Sequence, residues 1–373
     1  MVFNNIDINI IALIAAFVLA GVISFATTPL VKVFATRVGA MDVPKDNRRM
    51  HTTPIPRLGG MAIFMGFIFS MLAFCDITTE LRGIMLGCIV IVVLGVIDDI
   101  VQLKAKIKLI GQVIAAIIPL FYGVRIEMFS NILPVGSPYI SLGFLSIPIT
   151  IIWIVGVTNA VNLIDGLDGL AVGVSAISSL SLLFIALFIG EPQVAIVMAA
   201  LTGGCVGFIP YNFNPAKIFM GDTGAMFLGY ILATISITGF FKFYAIISFL
   251  IPFLIMGLPI LDTLFAIIRR LMHGQSPMTA DRGHLHHRLI DMGFSQKQTV
   301  AILYIISALL GLCAIIWASD DMFKAVILLV SILVIGFIAF KIFERERAHR
   351  KALEEAKKKE EEEKKRILDD DDI

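Results

Sequence analysis

Apolar runs of about 17 to 25 residues recur along almost the whole chain, long enough as helices to cross a hydrocarbon layer of about 30 Å. Lipid offers no partner to backbone N–H and C=O groups, so such runs fold as helices or close into barrels. A barrel needs strict alternation of polar and apolar residues, which these runs lack. The apolar windows lie near residues 8–28, 58–75, 83–97, 107–123, 145–160, 169–189, 193–210, 223–240, 243–268, 298–317 and 323–343. With 58% hydrophobic and only 16% charged residues, 373 residues hold too little polar surface for a water-soluble domain. The expected fold is an all-α polytopic membrane protein of about eleven transmembrane helices. Residues 1–343 form its membrane domain, and residues 344–373 a charged tail with helical i,i+4 pairs such as Glu354/Lys358 and Glu361/Lys365. The first eight residues contain no Lys or Arg, so the first span is expected to stay in place and not be cleaved as a signal peptide.

The net charge of +1 is uninformative, but its distribution sets an orientation. Loops after odd-numbered spans carry fifteen Lys and Arg, whereas those after even-numbered spans carry only Arg82, Arg125, Lys242 and Lys324. The positive-inside rule then places the N-terminus outside, and the odd-numbered loops and the C-terminus in the cytoplasm. Cys75, Cys88, Cys205 and Cys313 are scattered without a CxxC pair and read as packing residues. Residues 124–144, with Pro134, Gly136, Pro138 and Gly143 among short β-favouring pieces, read as a small extracytoplasmic hairpin or turn.

Five polar constellations interrupt this apolar background, and all five follow odd-numbered spans. Asp42 to His51 with Pro56-Arg57-Leu58-Gly59-Gly60 brings cations and turn residues. Asp98-Asp99 closes an apolar run, where adjacent carboxylates are costly and suit either Mg²⁺ or a proton acceptor. Asn159, Asn162, Asp165 and Asp168 recur every third residue. A straight helix would turn that series by about 60° per step, so the set converges only if the chain breaks, most simply at Gly166. Tyr211 to Gly224 supplies Asn212, Phe219 for stacking on a base, and Asp222 as a metal ligand beside a helix start that favours anions. Asp281-Arg282-Gly283-His284-Leu285-His286-His287-Arg288 offers histidines and arginines for phosphate. Shared parity puts the five clusters on one face, as a cytoplasmic site whose chemistry suits magnesium, phosphates and a nucleotide. An ion-coupled transporter would instead carry its acids near the bilayer midplane, often in two related halves, and no internal repeat is visible.

These residues resemble the polyprenyl-phosphate N-acetylhexosamine-1-phosphate transferases, glycosyltransferase family 4, which include undecaprenyl-phosphate GlcNAc-1-phosphate transferases and the MraY translocases. The matching stretches are Asp98-Asp99, Asn159 to Gly169, Asn212 to Gly224 and His284 to His287, supported by Pro56 to Gly60, across about residues 8–343 in order and topology. The resemblance implies transfer of a sugar 1-phosphate from a UDP-sugar to undecaprenyl phosphate, with Mg²⁺ (or Mn²⁺) as cofactor and UMP as the released product. It implies Asp98, Asp99, Asp222, His286 and His287 as catalytic residues, Asp98 deprotonating or orienting the lipid phosphate. Asp99, Asp222 and Asp165 would lie at or beside the metal. Asn162, Asp165 and Asp168 would line the nucleotide pocket, with Asn212 and Phe219 near the uridine and Lys108 near the phosphates. His284, Arg282 and Arg288 would meet the donor.

The implied location is the cytoplasmic membrane, with a homodimer allowed and no nucleic-acid partner. Leu285 interrupts the histidine run and Arg288 follows it, unlike the three consecutive histidines of the MraY branch, which points to UDP-GlcNAc as donor for a teichoic acid, O-antigen or similar surface glycan. UDP-GalNAc, another hexosamine or UDP-MurNAc-pentapeptide are the competing donors.

Overall fold

The first helix, α1 (Ile10–Arg37), is apolar all round, so its sequence shows no preferred face. Its packing follows side-chain size: Ala16, Ala20, Ser24, Thr28, Val31 and Ala35 are buried at helical spacing, while Ile11, Val18, Val22 and Leu30 are exposed. In lipid, helices gain from close backbone approach, not from hiding apolar surface, so small residues mark the seam. A Cβ added at Gly203 would meet the Phe17 carbonyl oxygen at 2.1 Å, and one at Gly66 would meet that of Ala20 at 2.3 Å. Through these contacts α1 packs on α7 (Pro192–Asn212) and α2 (Gly60–Phe74). At 28 residues α1 is about 42 Å long, overshooting a bilayer core and running nine residues past the expected end at residue 28.

The computed structural model describes residues 9–44, 53–130, 139–240, 245–276, 283–319 and 323–336, with 338 and 341. It is an all-α membrane bundle, and seven of its described helical segments are long and apolar enough to cross a bilayer. After α2 come α3 (Thr79–Val101) and α4 (Ala105–Ile117), which tightens into a 3₁₀ turn at Ile118–Tyr122 where Pro119 removes a donor. Then follow α5 (Ser146–Leu163), α6 (Leu170–Ile189), α7 and α8 (Gly221–Phe240). The central helix is α8, held between α3 and α5, while α6 packs on α7 and α12 (Gln296–Ala318). A last apolar helix, α13, covers Phe323–Gly336. The charged tail lies outside the described residues.

The expected single span over 243–268 is corrected: it is two helices, α9 (Ala245–Ile255) and α10 (Gly257–Met272). Pro259 has no N–H for the Ile255 carbonyl, so the helix cannot run through Met256. Ser178 Oγ donates to that freed carbonyl at 3.1 Å, which satisfies it within the protein. Between α10 and α12 lies a short helix, α11 (Leu285–Asp291), bearing the histidines.

Strands are minor but placed where loops need anchoring. β1 (Met41–Asp42) pairs antiparallel with β2 (Ile55–Pro56), and β3 (Met128–Ser130) with β4 (Tyr139–Ser141), the hairpin expected over 124–144. All four cysteines are free and buried, as expected of packing residues.

Gly60 begins α2 against the start of α8, where an added Cβ would lie 2.1 Å from both N and Cα of Gly224. Backbone atoms cannot rotate away, so Gly60→Ala should cost about 1–3 kcal/mol of overpacking and lower turnover by displacing α8. Thermal unfolding in detergent checks this, and an unchanged melting temperature would contradict the contact.

Candidate active site

The site is assembled around the N-terminus of α8. The first N–H groups of a helix have no internal partner, and Met220, preceding α8, has no acceptor to cap them. Asp99, near the end of α3, supplies the acceptors from another helix. Its Oδ1 accepts from the backbone N–H of Asp222 at 2.9 Å, and its Oδ2 from the N–H and hydroxyl of Thr223 at 3.0 and 2.6 Å. The approach requires Gly221, which has φ +73° and where a Cβ would lie 2.5 Å from Asp99 Oδ2. Both oxygens of Asp99, implied at or beside the metal, are turned into the start of α8, so the carboxylate positions Asp222.

With α8 fixed, Asp222 meets Lys108, which enters from α4. Lys108 Nζ contacts Asp222 Oδ1 at 2.8 Å and Asp98 Oδ2 on its other side. Asp98 Oδ1 accepts the Leu103 N–H at 2.7 Å, in the tight turn leaving α3 through Gln102. The buried Asp98 and the cavity-lining Asp222 thus share one ammonium, which offsets the cost of keeping them charged. Asp98, Lys108 and Asp222 are brought together from α3, α4 and α8.

In front of Asp222 opens a cavity of about 580 Å³, lined by Arg57, Asn162, Asp165, Asp168, Asp222 and His287 among others. The polar series converges because α5 stops at Leu163 and the chain turns through residues 164–169 before α6, with Gly169 at φ +80°. Asn162, Asp165 and Asp168 reach the cavity, with Asn162 beside Asp222. Asn159 does not. It lies a turn deeper, paired with Gln112 through Nδ2 to Oε1 at 2.6 Å.

The loop from Phe213 to Met220 is fastened by the residues expected to bind nucleotide. Asp168 Oδ2 accepts from Asn214 Nδ2 at 2.9 Å and from the Ala216 N–H at 3.0 Å. Asn212 Oδ1 accepts from the Gly169 N–H at 3.1 Å, and its Nδ2 donates to the Ile218 carbonyl at 3.0 Å. Asn212 touches the cavity, but both ends of its amide hold backbone, so its part is structural. Phe219 stands half-buried at the cavity wall. Its backbone N–H donates to the Pro56 carbonyl at 2.8 Å and its carbonyl accepts the Gly59 N–H at 2.9 Å, tying the loop before α2 to the segment that leads into α8.

The histidines divide three ways. His284 Nδ1 lies 2.9 Å from Asp262 Oδ2, and Asp262 Oδ1 accepts the Leu285 N–H at 2.8 Å, capping α11 from α10. His286 is buried against the Gly166 backbone, 4.2 Å ring to ring from His287, and burial with the neighbouring His287 pulls its imidazole down to about 3. Only His287 reaches the cavity. His284 and His286, implied at the donor and at the reaction, lie off the cavity wall and are buried against protein. Arg288 is exposed and off the cavity wall, and Arg282 lies outside the described residues. Sequence reasoning missed Asp262, although a lone carboxylate inside an apolar window is itself a signal.

Among the described residues no three His, Cys, Asp or Glu side chains converge as a preformed metal cage. Of the five aspartates that line the cavity, Asp165 and Asp222 are close enough to interact, with the Asn162 amide beside Asp222. That donor set fits Mg²⁺, which takes one or two carboxylates and completes its shell with water and substrate phosphate. It does not fit a closed zinc site. Burial and the neighbouring carboxylates of Asp222 and Asp99 push Asp165 up to about 8.

The chain is similar to known proteins along most of its length. Residues 81–240, from α3 to α8, match glycosyl transferase family 4. The chain is 38% identical over 316 residues to a probable undecaprenyl-phosphate N-acetylglucosaminyl 1-phosphate transferase of Bacillus subtilis, covering 84% of this chain and 87% of that protein. It is 33% identical to a decaprenyl-phosphate N-acetylglucosaminephosphotransferase of Mycobacterium tuberculosis, covering 77% and 78%. A phospho-N-acetylmuramoyl-pentapeptide-transferase of a Thermoanaerobacter species matches at 32% over a shorter stretch, 60% of this chain and 75% of that protein.

The raised Asp165 makes a signed prediction. Between its unfolded value of about 4 and its folded value of about 8, the folded state holds a proton that the unfolded state lacks, so stability falls as pH rises through that window. Asp165→Asn should flatten this slope in metal-free protein, measured as melting temperature against pH. A slope identical to wild type would contradict it.

Proposed function

The chain belongs to glycosyl transferase family 4, and we propose that it is a polyprenyl-phosphate N-acetylglucosamine-1-phosphate transferase. It transfers GlcNAc-1-phosphate from UDP-GlcNAc to undecaprenyl phosphate, releases UMP and starts a lipid-linked surface glycan such as a teichoic acid or O-antigen. The observation that carries this reading is the Asp98–Lys108–Asp222 array at the end of an open polar cavity, on helices that belong in a bilayer. One substrate is anchored in lipid and the other is water-soluble, and a site at helix ends serves both. The names of the Bacillus and Mycobacterium relatives support the sugar and the polyprenyl acceptor.

Phosphoryl transfer is chiefly a matter of positioning and charge neutralisation. Asp98 accepts a proton from, or orients, the acceptor phosphate, and Lys108 beside it offsets the charge that two approaching anions bring together. Asp222 and Asp165, with Asn162, would hold Mg²⁺, which when bound neutralises the donor's diphosphate. Phe219 at the wall offers a face for the uracil ring. His287 is the histidine placed to meet the donor.

The membrane arrangement belongs to the same proposal. Eleven crossings with the N-terminus outside put the Asp98, Asp165, Asp222 and His287 segments on the cytoplasmic side of the cell membrane, supported by the excess of Lys and Arg in those loops. Cytoplasmic UDP-sugar then reaches the site directly.

Three outcomes follow. Turnover should require Mg²⁺ or Mn²⁺ and stop with EDTA, and full activity in metal-free buffer would remove the metal from the account. Asp98→Asn and Asp222→Asn should each lose at least about a hundredfold in turnover while inserting normally. Near-normal rates in both would place the reaction elsewhere. Purified protein should use UDP-GlcNAc faster than UDP-MurNAc-pentapeptide, and the reverse order would refute the sugar assignment.

A further inference from the structure

The cavity is strongly acidic. Asp42, Asp165, Asp168, Asp222 and Asp291 all line it, and among its described lining residues Arg57 is the single Lys or Arg. Lys108 stands behind Asp222, engaged by Asp222 and Asp98, and is not part of the wall. A doubly charged donor entering here meets repulsion from every ionised carboxylate, so one cation on the wall weighs heavily in where its phosphates settle.

Arg57 is placed for such a contact and held there. Its backbone N–H donates to the Ala40 carbonyl at 2.9 Å, beside the β1–β2 pairing of Met41 with Pro56 and Asp42 with Ile55. Its Nη2 donates to Asp42 Oδ1 at 3.2 Å, with the Asp42 side chain 10% exposed and that of Arg57 23%. Pro56 and Gly59 on either side are hydrogen-bonded to Phe219, so the arginine keeps register with the α8 start that carries Asp222. A guanidinium has a rigid fork of N–H donors, and the contact with Asp42 occupies Nη2 alone, leaving others to receive phosphate oxygens.

We propose that Arg57 is a donor-recognition residue that binds the diphosphate of the nucleotide sugar, and that Asp42 is the positioning residue that holds its guanidinium at the cavity wall. The inference rests on the transferase reading and names how that site distinguishes a nucleoside diphosphate from a nucleoside. Neither residue needs to take part in bond making.

The test is equilibrium binding of UDP and of uridine to the purified full-length protein in Mg²⁺-containing buffer. Arg57→Ala should weaken UDP by roughly ten- to a hundredfold, the scale of a lost charge-assisted hydrogen bond, and leave uridine unchanged. Because Arg57→Ala strands the Asp42 carboxylate, the double substitution Asp42→Asn with Arg57→Ala guards against a folding defect and should show the same loss. Arg57→Lys, which keeps the charge but not the fork, should fall between. With wild type turning over UDP-GlcNAc, unchanged UDP affinity in both Ala variants overturns this inference and leaves the transferase reading standing. Equal weakening of UDP and uridine overturns it as well, showing that the arginine shapes the whole pocket. A wild-type protein that binds no UDP overturns both readings.

Discussion

The Asp99 carboxylate on the N-terminus of α8 is the contact on which the rest of the site depends. It satisfies backbone donors that nothing in α8's own preceding turn can satisfy, and the same donors let a carboxylate that is 3% exposed stay buried. The two helices are 123 residues apart in sequence at this contact, and their close crossing depends on glycine. At Gly95, one turn before Asp99, a Cβ would lie 2.4 Å from the Thr223 Cα. Because α8 can sit in no other register, Asp222 arrives opposite Lys108, and Lys108 arrives against Asp98.

Around that contact, several polar residues that look like ligands turn out to hold the loops that carry ligands. Asp168 and Asn212 pin the segment from Phe213 to Met220, and Tyr304 on α12 donates to the Gly169 carbonyl behind them. Asp262 does the same for α11, so His287 faces the cavity while His284 and His286 face protein. A cavity that must admit a charged donor and exclude bulk lipid cannot rely on mobile loops, and buried hydrogen bonds supply the stiffness.

Much of this was legible in the sequence, for identifiable reasons. Length and hydropathy locate helices because lipid allows little else. The break in the Asn162, Asp165, Asp168 series was deduced from helical period alone and lies at residues 164–169. What stayed hidden depends on long-range direction. Asp98 and Asp99 read alike as adjacent acids, yet they point about 100° apart on a helix, one to Lys108 and one to α8. The three histidines hide their roles in the same way, since the start of α11 sends each to a different neighbour. Asp262 went unread because it sits in an otherwise apolar window, and its partners lie 22 and 23 residues further on. The division at Met256 was nearer the surface of the sequence, in Pro259.

The division of labour between adjacent aspartates can be measured by melting temperature and turnover of Asp98→Asn and Asp99→Asn side by side. An asparagine at position 99 presents an N–H where α8 needs an acceptor, so the account predicts that Asp99→Asn lowers both quantities. Asp98→Asn should lower turnover alone. An Asp99→Asn protein that melts with wild type but has lost turnover would contradict the account, since Asp99 would then act on substrate or metal and not through α8.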